Sequence, residues 1–104
     1  MHREPKESTI VKQVVDALNA TRKVWAFKVH GGPMQTAGVP DVIACAEGRF
    51  IALEVKRPST RSHVSELQRA TLNDISWAEG VAAVVTSPSE ALDVVDQVLK
   101  PFDE

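Results

Sequence analysis

The sequence has little cysteine and no long apolar run, and each absence excludes a class of protein. Cys45 is the only cysteine among 104 residues, so an internal disulfide and a zinc cluster built on cysteines are both excluded. No stretch approaches the roughly 18 apolar residues of a membrane-spanning helix. The polar first eight residues lack the apolar segment of a secretion signal. We therefore expect a cytoplasmic protein with no membrane partner.

The bulk composition is that of an ordinary globular domain, with 43% apolar and 25% charged residues. A chain of 104 residues has room for one hydrophobic core, which predicts a single domain over residues 1–104. Because such a core is modest, association of two copies through one face would add stability.

The charges are distributed unevenly along the chain. The formal net charge is −2, but residues 22–69 carry eight basic and four acidic side chains, a net charge of +4. Residues 70–104 carry seven acidic side chains and one basic side chain, a net charge of −6. One part of the molecule should therefore attract a polyanion such as DNA, while another part repels it.

Hydrophobic periodicity and turn signals predict seven elements in the order α-β-β-β-α-β-α, an α/β domain with one mixed sheet and flanking helices. The predicted helices cover residues 6–20, 65–78 and 88–99. Pro5 and Ser8 are the start signals of the first helix, and residues 87–90 form a capping box for the last. The predicted strands cover residues 24–30, 39–46, 49–56 and 81–86, with loops at 31–38 and 58–63.

Three charged residues lie in the otherwise apolar second and third strands. A two-residue turn at Glu47-Gly48 pairs residues whose numbers sum to 95, which places Asp41 directly opposite Glu54. Lys56 follows Glu54 by two residues and therefore projects from the same face. A register shift of one residue would separate the two acids.

Two carboxylates placed side by side repel each other unless a proton or a cation lies between them. Mg²⁺ suits this position because it prefers oxygen ligands and needs only one or two carboxylates, with the Val55 carbonyl as a candidate further ligand. A bound divalent ion would polarise a phosphate and lower the pKa of a bound water. Lys56 would orient that water or stabilise charge on the phosphate oxygens. The pattern predicts a metal-dependent phosphodiester hydrolase.

Two short runs also carry a family resemblance. Residues 38–43 read Gly-Val-Pro-Asp-Val-Ile and residues 53–56 read Leu-Glu-Val-Lys, and together they resemble the PD-(D/E)xK nuclease superfamily. With Arg57-Pro58 and Ser65-x-x-Gln68 after them, the pattern resembles the VRR-NUC branch over about residues 7–87. The chain is similar in this respect to stand-alone phage proteins and to archaeal Holliday-junction resolvases.

The resemblance implies a restriction-endonuclease-like αβββαβ core, followed here by a C-terminal helix. It also implies cleavage of DNA with Mg²⁺ or Mn²⁺ as the cofactor, a homodimer, and residence in the cytoplasm of a bacterium or of a phage host. It assigns roles to three residues already singled out: metal ligation to Asp41 and Glu54, and catalysis to Lys56.

The resemblance further implies that Glu7 completes the metal site and that Gln68 faces it as part of the catalytic set. Both residues have a structural alternative. An acid is favoured in the first turn of a helix in any case, and Ser65-x-x-Gln68 is itself a capping box. Both roles of Gln68 could hold together.

Five side chains near the catalytic segment are candidates for contacts with DNA phosphates: His30, Arg57, Arg61, His63 and Arg69. The alternative for His30 is a structural histidine, and the alternative for the other four is an ordinary solvated surface. Cys45 is expected to pack in the core. Trp25 and Trp77 are expected in the core or in a dimer interface rather than stacked on bases.

We expect a structure-selective DNA endonuclease that works as a homodimer, with a four-way junction or other branched DNA as its substrate. An alternative within the fold is a repair-type or restriction-type nuclease acting on other DNA structures. A DNA-binding module that does not cut is disfavoured because Asp41, Glu54 and Lys56 are all present. A protein-interaction domain would leave these charges without a purpose.

Overall fold

A computed structural model describes residues 3–31 and 37–99, and its elements follow the predicted order. The helices are α1 (Glu7–Asn19), α2 (Glu66–Trp77) and α3 (Pro88–Leu99), and the strands are β1 (Val24–Lys28), β2 (Val42–Ala46), β3 (Arg49–Val55) and β4 (Val81–Val85). A short 3₁₀ helix (Pro58–Thr60) follows β3. None of the helices in these residues is both long and apolar enough to cross a membrane.

The strands form one mixed sheet in the order β1-β2-β3-β4. The first three strands are antiparallel neighbours, whereas β4 is parallel to β3 because α2 connects the two as a crossover. The predicted α/β class with an αβββαβ core and a C-terminal helix is confirmed. β3 lies in the interior of the sheet, as its continuous apolar sequence predicts.

The two faces of the sheet differ, since alternate residues of a strand project to opposite sides. On the core face, α1 and α3 pack against strand residues that are almost all buried. The other side, here called the open face, is partly covered by α2, which contacts β3 and β4. In the described part of the chain, no helix lies over its β1–β2 half. The open face carries Trp25, Phe27, Ile43, Cys45, Phe50, Ala52 and Glu54.

The β2–β3 hairpin has the predicted register. The turn residues Glu47 and Gly48 have φ angles of 47° and 82°, and a type I′ turn needs positive φ at both positions. The ladder starts at Ala46 with Arg49 and runs to the pair of Val42 and Leu53. Continued by one residue, this register places residue 41 opposite residue 54.

Two predicted strand boundaries differ from the structure by two residues or more, and one predicted start signal is wrong. β2 begins at Val42 rather than at residue 39, because Pro40 has no N–H with which to continue the ladder. β1 ends at Lys28, so His30 lies beyond the strand. Ser8 is wrong as a start signal, because α1 begins at Glu7 after an N-cap without a side-chain hydrogen bond.

Two predictions about packing were wrong for the single chain. Cys45 is exposed rather than buried in the core, because it alternates with the buried Ala44 and Ala46 and so projects from the open face. Trp25 and Trp77 are 63% and 91% exposed, so neither packs in the core. Dimer packing of the two tryptophans stays a prediction.

Gly38 generates a test of how the loop before β2 meets α2. Its φ is 84°, and a Cβ there would lie 2.8 Å from Cγ and 3.0 Å from the carbonyl oxygen of Leu67. Gly48 has a similar φ of 82° but open space around a Cβ. We expect Gly48→Ala to lower the free energy of unfolding by about 1 kcal/mol through backbone strain. Gly38→Ala should cost about 1–3 kcal/mol more through overpacking.

Urea denaturation of both alanine variants measures these two losses. Equal losses would mean that Leu67 moves aside without any loss in the free energy of unfolding. The contact would then not hold the loop against α2.

Candidate active site

The predicted catalytic residues converge at one end of the sheet. Asp41 immediately precedes β2, Glu54 is the penultimate residue of β3, and Lys56 directly follows that strand. Glu54 is 2% exposed and Lys56 is 9% exposed, while Asp41 is half-buried. The structure therefore brings the three side chains together on the open face, where the parallel strands β3 and β4 end.

Asp41 is held in place by two backbone hydrogen bonds. Its carbonyl oxygen accepts from the Val29 N–H at 2.8 Å, and its carboxylate Oδ2 accepts from the Val55 N–H at 2.7 Å. The ladder between β2 and β3 ends at Val42 and Leu53, and beyond it the side-chain carboxylate of Asp41 is the acceptor for the Val55 N–H. The carboxylate of Asp41 is thus fixed against β3, next to Glu54.

The two carboxylate oxygens of Glu54 have different environments. Oε2 accepts a hydrogen bond from Nε2 of Gln68 at 3.1 Å and lies 3.6 Å from Nζ of Lys56. Oε1 is buried and has no hydrogen-bond partner in the described residues. One oxygen is therefore compensated by an amide and an ammonium group, and the other is left without compensation.

Burial, followed by the negative charge of the adjacent Asp41 carboxylate, raises the pKa of Glu54 to about 8. The ammonium group of Lys56 acts in the opposite direction. The two carboxyl groups are therefore close enough to repel each other, and a cation between them would remove this repulsion.

Gln68 has both of the roles that its sequence context allows. Its N–H donates to Oγ of Ser65 at 3.1 Å, and its Oε1 accepts from the Ser65 N–H at 3.0 Å, which forms the predicted capping box. The same amide group donates through Nε2 to Glu54. The cap therefore fixes the first turn of α2 in the position from which its side chain reaches the site.

Glu7 is within electrostatic range of the acidic pair but is not grouped with it as a set of metal ligands. Its negative charge also raises the pKa of Glu54, so the two carboxylates are within electrostatic range. Among residues 3–31 and 37–99, however, no group of three or more His, Cys, Asp or Glu side chains is spaced to hold a metal ion. The role of Glu7 as a metal ligand therefore stays a prediction.

The oxygen atoms at this site fit a hard divalent cation. Oε1 of Glu54 is buried and unpaired. Val55 directs its N–H toward Asp41, and in an extended strand the carbonyl of a residue points to the same side as its N–H. Asp41, Glu54 and the Val55 carbonyl can therefore offer oxygen ligands to Mg²⁺, which fills its remaining positions with water or phosphate oxygens.

Arg57, predicted to contact DNA, is engaged in an ion pair. Its Nη2 lies 3.2 Å from Oε2 of Glu4. The side chain and the N–H of Ser59 both donate to the Glu4 carboxylate, and these bonds, with the charge of Arg57, hold the pKa of Glu4 below its usual value. The segment before α1 is thus attached to the loop that follows Lys56.

Arg61, also predicted to contact DNA, pairs with Glu90 across 2.8 Å. Oε1 of Glu90 also accepts from the Thr86 N–H at 2.7 Å. Burial opposes ionisation of Glu90, but the hydrogen bonds from Thr86 and Arg61 outweigh it, so its pKa is lowered. The predicted capping box is half formed, because Oγ of Ser87 accepts from the Glu90 N–H while the Glu90 carboxylate binds Thr86 instead.

The other three candidates for DNA contacts, His30, His63 and Arg69, are exposed. In the part of the chain that the structure describes, none of the three has an ion-pair partner. Their side chains are therefore accessible to a phosphate, whereas the charges of Arg57 and Arg61 are compensated by acids.

Glu4 and Glu90 are the neighbours of the site that the sequence reasoning missed. Glu4 lies 55 residues from Ser59 along the chain, so no local pattern indicates their contact. The sequence around Glu90 predicts a helix cap, and only the tertiary structure brings this residue to Arg61, 29 residues away.

Glu54 generates a prediction for the stability of the metal-free protein. Its pKa in the folded chain is about 8, against an ordinary value of 4.5, so the folded state binds one more proton than the unfolded state between these values. The stability that this proton contributes is full below about pH 4.5 and is lost as the pH rises through about 8. Urea denaturation in EDTA should show a free energy of unfolding that falls across this window.

Glu54→Gln is the matched control, because an amide of the same shape does not titrate. Its free energy of unfolding should lose this decline. The same slope in the variant and in the parent would show that another group causes it.

Comparisons with known proteins add no assignment to this geometry. No model of a protein family matches the chain, and no curated protein matches it significantly.

Proposed function

We propose that this chain is a metal-dependent DNA endonuclease of the VRR-NUC type. One observation carries the proposal: two carboxyl groups, Asp41 and Glu54, meet beside the buried ammonium group of Lys56, and Oε1 of Glu54 is buried without a partner. No other cluster of charges in the described residues is buried in this way.

Such a cluster is costly for a protein that does not use it. Removing a carboxylate from water costs several kcal/mol unless the charge is paired and hydrogen-bonded. Lys56 and Gln68 compensate one oxygen of Glu54, and Val55 compensates one oxygen of Asp41. A divalent cation between the carboxylates would compensate the remaining oxygens and remove their mutual repulsion.

The residues then have distinct tasks. Asp41, Glu54 and the Val55 carbonyl hold Mg²⁺ or Mn²⁺, and this ion, when bound, polarises the phosphate and lowers the pKa of a water ligand. Lys56, held near Glu54, places a positive charge beside the position of the scissile phosphate. Gln68 positions the carboxylate of Glu54 through its hydrogen bond at 3.1 Å.

The substrate proposal follows from the distribution of charge. Residues 22–69 have a net charge of +4, and two of their four acids are the metal ligands, so bound cations make this segment more positive. His30, His63 and Arg69 offer accessible donors to phosphates. The resemblance to the VRR-NUC branch suggests branched DNA such as a four-way junction as the substrate, cut in the cytoplasm by a homodimer whose two sites address two strands.

Cleavage is tested with labelled linear, flapped and four-way DNA in Mg²⁺, in Mn²⁺ and in EDTA. We expect cutting that needs a divalent ion, with branched DNA cut fastest. Lys56→Ala and Asp41→Asn should lower the rate by at least about 100-fold, the loss typical of a group that stabilises transition-state charge.

Lys12→Ala is the control for a lost lysine, since Lys12 is exposed and its ion-pair partner among the described residues is Asp16 on α1. It should leave the rate unchanged. Binding of DNA without cutting in either metal, unchanged by EDTA, would replace the nuclease with a DNA-binding module. Fast cleavage by Lys56→Ala would contradict the assigned chemistry.

Metal binding has its own readout, independent of cleavage. A ligand that binds only the folded state at about 100 times its Kd raises the free energy of unfolding by about 2.7 kcal/mol. We therefore expect Mn²⁺ to stabilise the parent protein in urea denaturation and to leave Glu54→Gln almost unchanged. Equal stabilisation of both proteins would place the ion elsewhere.

A further inference from the structure

The part of the open face on β1, β2 and the start of β3 is an apolar surface, here called the aromatic patch. Trp25, Phe27 and Phe50 are 63%, 41% and 46% exposed, and the rings of Trp25 and Phe27 lie 5.2 Å apart. Ile43 and the exposed Cys45 lie between them on β2. Aromatic side chains without charges are typical of the buried centre of a protein interface.

A matching projection lies on α2, which borders the patch. Trp77 is 91% exposed at the end of this helix. It follows the buried Leu72 by five residues, which is about 140° around a helix of 3.6 residues per turn. Its indole therefore points away from the sheet on which its own helix packs.

We propose that the partner of the aromatic patch is a second copy of this chain, and that each patch receives α2 of the other copy with Trp77 in contact. The open face is uneven, because α2 covers β3 and β4 and projects above them, whereas no described helix covers β1 and β2 on this side. A two-fold axis parallel to the strands places the covered half of each copy over the bare half of the other. The surface is thus complementary to itself.

The charges of the two halves are complementary as well. Residues 21–30, which contain β1, carry three basic and no acidic side chains, whereas residues 66–79, which contain α2, carry three acidic side chains and one basic. α2 runs opposite to β3 and so to β1. The same axis therefore brings Asp74 and Glu79 near Arg22 of the other copy. It also brings them near Lys23, whose Nζ lies 3.9 Å from Oε1 of Glu47 in its own chain. DNA on the patch would meet the acids of α2 instead, and so is disfavoured.

The middle of the edge strand β1 is not available to pair with a strand of a second copy. The side-chain amide of Asn19 accepts from the N–H of Ala26 at 2.8 Å and donates to its carbonyl at 2.9 Å. These are the groups that a neighbouring strand would need at this point of β1. Two copies are therefore expected to meet through the face of the sheet and not through its edge.

The exposed area is of the size that a dimer needs. The three aromatic side chains of the patch leave on the order of 300 Å² exposed, and Trp77 adds about 200 Å². A stable interface buries about 800 Å² on each partner. The aromatic groups therefore supply more than half of this area, and the rest of α2 and of β1 can supply the remainder.

The proposed dimer also fixes the relative positions of the two active sites, a point that rests on the proposed nuclease function. An axis parallel to the strands leaves both copies of Asp41 and Glu54 at the same end of the dimer. Two cutting sites would then face a single DNA molecule from one side, as cleavage of two strands requires.

The interface is tested without DNA and in EDTA, so that a failure of cleavage does not affect the result. Sedimentation equilibrium should show a dimer of the parent protein. The chain has two tryptophans, both exposed in the single chain, so their emission should shift to shorter wavelength as the concentration rises. Trp77→Glu and Phe27→Glu should raise the dimer Kd by at least about 100-fold.

Leu92→Glu is the matched control. Leu92 is 38% exposed on α3, which packs on the other side of the sheet, so its dimer Kd should stay within about threefold of the parent value. A parent protein that remains monomeric at its highest soluble concentration would overturn the proposal. So would a dimer that both patch variants leave intact. A monomer whose affinity for DNA falls in Trp25→Ala would make the patch a nucleic-acid surface instead.

Discussion

The close approach of the Asp41 and Glu54 carboxyl groups is the constraint on which the rest of the structure depends. Two acids on neighbouring strands repel each other, and the interior of the sheet offers little water to screen them. Val55, Gln68 and Lys56 each compensate part of this cost. The remaining oxygen of Glu54 is buried without a partner, and a cation is the group that would complete the balance.

Polar and charged side chains at this end of the sheet also position the helices. Glu4 and Glu7 bring the start of α1 near the loop after Lys56, Gln68 brings the start of α2 to Glu54, and Glu90 brings the start of α3 to Arg61. The amino ends of three helices therefore lie around one end of the sheet. Helix amino ends carry partial positive charge, which favours the carboxylates in this region and a phosphate beside them.

The two faces of the sheet carry different features of this small chain. The core face, covered by α1 and α3, holds nearly all of the apolar core. The open face holds the acidic pair and leaves the adjacent aromatic patch bare. A domain of this size buries a limited core, so the proposed second copy would add apolar burial where the single chain has none. The acidic pair and the proposed association surface then belong to the same face.

The sequence by itself determined the order of the elements, the register of the hairpin and therefore the pairing of residue 41 with residue 54. These features depend on local patterns: hydrophobic period, a two-residue turn at Glu47-Gly48, and the alternation of strand residues. Only the tertiary structure decided that Cys45 and Trp25 are exposed, that Arg57 and Arg61 pair with Glu4 and Glu90, and that Gln68 reaches Glu54. The physical reason is that burial and ion pairing depend on which helix covers which part of the sheet, and contacts between distant segments leave no periodic signal in the chain.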